Sequence, residues 1–159
     1  MKKYSKLAVL FVLIVLISGC GKDGISLSKE KELTCTNTTT DEDGYKTEDK
    51  MVVTYKDNKV VKVTETNVTE TDPSMLDMTY SFTSAFAESF NKVDGMNITY
   101  SKEGNNKLKF VMTVDYDKID VDSLKNTLGD LYDEDNFYNK KDITIDEFKK
   151  NNLKDYTCK

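Results

Sequence analysis

Three cysteines are the residues of this chain best suited to covalent chemistry, and their positions divide them between two reactions. Cys20 closes the run Ile17-Ser18-Gly19-Cys20 after an apolar stretch. Small residues directly before a cysteine at that place read as a lipobox, in which the sulfur takes a diacylglycerol thioether and a peptidase removes residues 1–19. Cys35 and Cys158 remain, one near each end of the rest of the chain. Outside the cytoplasm two such thiols usually pair, and closing a loop of about 124 residues stabilises a fold by roughly 5 kcal/mol on the chain-entropy argument. A redox pair would instead need a low-pKa thiol beside a cation or a helix N-terminus, and neither cysteine has a C-x-x-C partner.

Other chemistry is limited by what the composition lacks. There is no histidine, which removes Ser-His-Asp and Cys-His nucleophilic sites, His-ligated zinc and the commonest general base. No G-x-G-x-x-G follows a strand and no phosphate-binding Walker loop appears, so no cofactor is expected. Carboxylates cluster in Asp41-Glu42-Asp43, in Asp115 to Asp122 and in Asp133-Glu134-Asp135. An EF-hand counted from Asp133 would put Phe137 and Tyr138 where an oxygen ligand and a glycine belong, so no metal site is expected. Paired acids for glycoside hydrolysis normally work between aromatic sugar platforms, and the chain has no Trp. The 23 basic residues are all Lys, against 28 acids, for a net charge of −5. Without Lys2, Lys3 and Lys6 the remainder carries −5 − 3 = −8. An acidic body without arginine is a poor match to nucleic acid.

Elements must position these groups. Lys2, Lys3 and Lys6, then apolar residues from Leu7 to Ile17, form the charged and hydrophobic parts of an export signal. Eleven apolar residues are too few to span a bilayer, which takes about 20. Residues 20–32 read as a flexible tether and 33–159 as a single domain.

Within that domain Leu33 to Thr36 is β-rich, and two longer strands, Met51 to Tyr55 and Val60 to Thr69, flank a tight Asp57-Asn58 turn. A second hairpin turns at Gly104-Asn105-Asn106. Met96, Ile98 and Tyr100 alternate before it, and Leu108, Phe110, Met112, Val114 and Tyr116 after it. Between the hairpins, Asp72-Pro73 predicts a helix start and Gly95 a stop. Met75, Met78, Phe82, Phe86, Phe90 and Val93 recur there every three or four residues as one apolar stripe. The stripe reads first as core packed on the sheet, and second as a face for a small apolar ligand or a protein partner, since Met and Phe adapt to irregular surfaces. Asp120 to about Leu131 predicts a short helix, and Thr144-Ile145-Asp146-Glu147 is a capping box with Ile143 and Phe148 placed as a hydrophobic staple. Tyr156-Thr157-Cys158 is extended enough to lie beside the first strand, where the proposed bridge would tie it.

This order of features resembles the YehR-like family of small bacterial lipoproteins. The matching parts are the lipobox at Cys20, the hairpin Tyr55-Lys56-Asp57-Asn58-Lys59-Val60, the helix ending before Gly95 and the strand through Asn97-Ile98-Thr99-Tyr100. The stretch from Asp115 to Leu124 with Val121-Asp122, and the terminal helix, follow in the same order. Asn58 stands where a turn glycine is expected, and the Cys35/Cys158 pair is an addition. The resemblance implies an α+β fold, an antiparallel sheet of about five strands packed by one long and two short helices. It implies no catalytic residues. The expectation is therefore a non-catalytic lipoprotein on the extracytoplasmic face of the cell membrane, anchored through Cys20, that binds an envelope protein or a small apolar ligand. The alternative is a cell-envelope enzyme, or an enzyme inhibitor, using the acidic loops.

Overall fold

The computed structural model describes residues 29–129 and 140–159. The lipobox with Cys20, Leu131 and the Asp133–Asp135 acids lie outside them. The described residues form an α+β fold with six antiparallel strands: β1 (Lys31–Thr40), β2 (Lys46–Lys56), β3 (Lys59–Glu70), β4 (Met96–Glu103), β5 (Lys107–Asp115) and β6 (Thr157–Cys158). Helix α1 (Leu76–Phe90) joins β3 to β4, and α2 (Val121–Leu128) and α3 (Ile145–Asn152) follow β5. The strand order is β4-β5-β3-β2-β1-β6. The sixth strand, within the extended segment the sequence suggested, is held by two residues of pairing beside β1. β1 is longer than its apolar content suggested. Lys31 and Glu32, read from the sequence as tether, pair with Tyr55 and Thr54.

Local chemistry explains most of these boundaries. Asp57 and Asn58 both adopt positive φ, 50° and 66°, as a type I′ hairpin turn demands, and Asn tolerates that region better than most residues. Asp120 caps α2 by accepting the Ser123 N–H at 3.0 Å, and Gly129 ends it with φ 54°. At α3 both halves of the capping box form: Glu147 N–H donates to Thr144 Oγ1 at 3.2 Å, and Thr144 N–H donates to Glu147 Oε2 at 3.0 Å. Ile143 and Phe148 are both buried in the core, as the staple requires. Thr144→Ala should lower stability by about 1 kcal/mol, the usual cost of an N-cap hydroxyl, read as a lower urea midpoint with an unchanged slope.

Register shows which face each strand turns inward, since directly opposed residues share a face. One row runs Met96, Val114, Val63, Val53 and Leu33, and the next Ile98, Met112, Glu65, Met51, Cys35 and Cys158. The apolar members of these rows, with Ala87, Phe90 and Val93 from the α1 region, Leu124 of α2 and Phe148 of α3, make the core. Farther along the same face the rows turn polar: Tyr100, Phe110, Asn67, Asp49 and Asn37, then Lys102, Leu108, Thr69, Thr47 and Thr39. Apolar side chains cover only the β4–β5 side at this end of the sheet.

Cys35 and Cys158 face each other across β1 and β6 and are joined by a disulfide, with Cα atoms 4.0 Å apart and a sequence separation of 123. Next to it Thr34 and Lys159 exchange backbone hydrogen bonds, 2.9 Å and 3.3 Å. At the opposite edge the Asn91 side chain accepts the Ile98 N–H at 2.6 Å and donates to the Ile98 carbonyl at 2.9 Å, satisfying β4 where no further strand pairs.

Candidate functional site

Helix α1 is where the structure departs most from the sequence reading. Asp72 does not cap it. The Asp72 carboxylate accepts from the Ser74 N–H at 2.7 Å and the Ser74 hydroxyl at 2.6 Å, closing a turn. The helix then begins at Leu76, with Met75 as an N-cap that makes no side-chain bond. The face turned to the sheet consists of Leu76, Tyr80, Ser84, Ala87 and Phe90. Tyr80 stacks edge-on against Tyr100 with centroids 5.1 Å apart, and Ser84 shares a 2.6 Å hydrogen bond with the Tyr100 hydroxyl.

The predicted stripe therefore splits. Phe90 and Val93 are core, 5% and 2% exposed, whereas Met75, Met78, Phe82 and Phe86 are 43%, 60%, 76% and 39% exposed. Packing as core is corrected for these four, because the Tyr80/Ser84/Ala87 side of the helix docks on the sheet instead. α1 thus carries two apolar faces, and the fold uses one.

Beside the exposed face lies a groove of about 320 Å³, lined by Phe82, Phe86, Thr79 and Thr83 of α1, Leu108 and Phe110 of β5, and Asn67, Thr69 and Thr71 at the end of β3. Phe86 lies 6.5 Å from Phe110 and 4.2 Å from Phe90, measured between ring centroids, so the aromatic floor continues into the core. Four of the five polar lining side chains are already engaged. Thr79 donates to the Met75 carbonyl and Thr83 to the Thr79 carbonyl, at 3.0 and 2.9 Å. Thr69 donates to Asn67 Oδ1 and Asn67 donates to Asp49, both at 2.6 Å. Walls whose donors are satisfied internally offer an occupant dispersion and hydrophobic contact, with no charge lining the groove. The sequence indicated Phe82 and Phe86 through helical spacing. Leu108 and Phe110 looked like ordinary strand alternation, and Asn67 and Thr69 gave no signal, because only the β3–β5 register brings them beside α1.

Glu65 is the other residue the sequence hid, since Thr64-Glu65-Thr66-Asn67 reads as polar on both sides. Its place opposite Met112 and Met51 puts it on the core face. Burial first, and then the charge of Asp49, push its carboxyl above the usual range. Nearby, burial and the charges of Asp49 and Glu65 hold the Tyr156 phenol up, to about 12. A carboxyl pKa raised in the folded state means that the native protein binds this proton more tightly than the unfolded chain. Its contribution is fully present below the ordinary carboxylate pKa and is lost as pH rises through the raised value. Glu65→Gln should therefore melt above wild type at pH 7, with the two curves converging near pH 4.

In the two acidic clusters that are described, Asp41 and Asp115 are engaged in local structure. Asp41 Oδ1 accepts the Asp43 and Tyr45 N–H groups at 3.0 and 2.9 Å, building the β1–β2 turn, and Asp115 pairs with Lys118 at 2.6 Å. Among the described residues no three acids or cysteines converge on one point where a metal ion could sit.

No protein-family model matches the chain, and no curated protein matches it by sequence. Solved structures do. A protein from Streptococcus pneumoniae TIGR4, determined by NMR, superposes with a TM-score of 0.59 at 11% identity, over 89% of this chain and 92% of that one. The Escherichia coli YehR protein, also an NMR structure, superposes with a TM-score of 0.57 at 18% identity, over 77% and 85%. The chain has the YehR fold. The resemblance read from short motifs thus holds for the architecture, and at these identities it is the architecture that is shared. The YehR fold supplies the scaffold on which α1 displays its second apolar face.

Proposed function

We propose that this protein is a lipid-anchored, extracytoplasmic binding module without catalytic activity, whose α1 face and groove take an apolar partner. One observation carries the reading: four large apolar side chains lie in the open along one side of a helix already packed by another, beside a groove with satisfied walls. Contiguous apolar surface of this kind on a small domain marks an interaction site. The lipobox at Cys20 supports the address, and eleven residues from Cys20 would hold Lys31 within about 40 Å of the bilayer surface. Among the described residues no helix is long and apolar enough to cross a membrane; the proposed attachment is through acyl chains on Cys20.

Two measurements test this. Radiolabelled palmitate should be incorporated by the wild-type chain in a bacterial host and not by Cys20→Ala; a labelled Cys20→Ala chain would remove the anchor from the proposal. For the groove, neutral N-phenyl-1-naphthylamine should brighten in the presence of wild type and lose most of that enhancement with Phe82→Asp. Equal fluorescence from both proteins would remove the groove.

A further inference from the structure

We propose that the apolar partner of α1 is a second copy of this chain, bound through the same face in both molecules; this rests on the reading of the groove as a binding site. The first argument is shape. Phe82, the most exposed large apolar side chain of the stripe at 76%, stands on the rim of the groove that it helps to line. A projecting ring and a recess on one patch are what a twofold interface needs, because each copy then offers the knob that the other copy's hole receives.

The second argument is size. At about 320 Å³ the groove lies at the floor of the range for sites that enclose drug-sized molecules, roughly 300–1,000 Å³. It is about twice the ~150 Å³ that houses one benzene ring. One phenylalanine ring with part of a methionine fills it, and α1 of a second copy brings both in Phe82 and Met78. Thr79, Thr83, Thr69 and Asn67 already have partners, so a hydrocarbon occupant leaves none of these groups unpaired.

The third argument is charge. The chain is acidic, 28 Asp and Glu against 23 Lys, so a second copy is repelled where acidic surfaces meet. From Met78 to Ala87 the helix carries no charged residue, and Asp77 at its start pairs with Lys102. Identical stripes can therefore face each other without bringing like charges together. The four exposed side chains offer roughly 400 Å² per copy, taking large apolar side chains at about 200 Å² each. That is about half of the approximately 800 Å² per partner of a standard interface, in the range of weak, transient contacts. The dimer is accordingly reversible, and shared attachment to one membrane would raise its occupancy by raising local concentration.

The test is photocrosslinking in cells that make the full chain, with exposed Ser81 replaced by benzoyl-phenylalanine at the edge of the patch. The expected product is a covalent adduct of two copies of the same chain. Adding Phe82→Asp should cut its yield about tenfold or more, and Met78→Asp should do the same from a second position. Both side chains are largely exposed, so each variant should melt with wild type. A self-adduct whose yield ignores both substitutions, an adduct with a different protein, or no adduct overturns the dimer. The naphthylamine assay on the same proteins separates the two proposals: fluorescence that depends on Phe82 without a self-adduct retains the groove and removes the dimer, and loss of both signals removes both.

Discussion

Replacing the disulfide, as Cys35→Ala with Cys158→Ala, should lower the melting midpoint by about 10–20 °C in a calorimetric scan. Two effects add. The bridge closes a span of 123 residues, for which the entropy argument gives up to about 5 kcal/mol, and a domain of this size shifts by roughly 3–5 °C per kcal/mol. Its removal also frees β6, whose pairing with β1 is only two residues long. Tyr156, directly before β6, is part of the packing around the core. Adding a reductant to wild type should reproduce most of the shift, whereas a change of less than 3 °C would show that β6 and the packing of α3 hold the last segment without the bridge.

A larger loss is expected from one methyl group. Gly95 has φ +82°, and a Cβ there would lie 2.4 Å from the backbone N of Ile119, 2.5 Å from its Cα and 2.8 Å from the Asp115 carbonyl oxygen. All three are main-chain atoms, so no flexible side chain can move aside. The same junction contains the Asp115 N–H to Gly95 carbonyl bond at 2.7 Å and the Asp120 N–H to Asp94 carbonyl bond at 3.0 Å, which hold the start of β4 against the turn leading into α2. Gly95→Ala should cost more than about 4 kcal/mol, the range reserved for steric or backbone conflicts in a packed interior, and should appear as loss of soluble, cooperatively melting protein. Gly104→Ala is the control. Its φ is also positive, +68°, but nothing lies within 4 Å of its Cβ position, so it should cost only about 1 kcal/mol. Equal behaviour of the two variants would mean that backbone conformation, and not contact with Ile119, sets the requirement at Gly95.

Features decided within a few residues were legible from the sequence. The Asp57-Asn58 turn, the Thr144 capping box and the alternation through Leu108 to Tyr116 depend on neighbours close along the chain, and all are present. The Cys35/Cys158 pairing was legible by elimination. What escaped depended on distant partners. Asp72 has the same local bonding options in a turn as at a helix N-cap, and the turn closed by Ser74 prevailed. Helical spacing shows that Met75, Met78, Phe82 and Phe86 share a face. It cannot show that Tyr100 already receives Tyr80 and Ser84, which rotates that face outward. Glu65 and Asn67 acquired their surroundings from strand register, and register is set by Val63 meeting Val53 and Val114, partners that lie on other strands.

The bond between Cys35 and Cys158, with Thr34 zipped to Lys159, also governs how the molecule carries mechanical load. A pull applied between Lys31 and Lys159 can straighten only Lys31 to Cys35 and the step after Cys158, about 15 Å of chain, before it meets a covalent link. Everything from Thr36 to Thr157 lies in a ring outside that line of force, so the α1 face would keep its shape on a molecule loaded through these two residues.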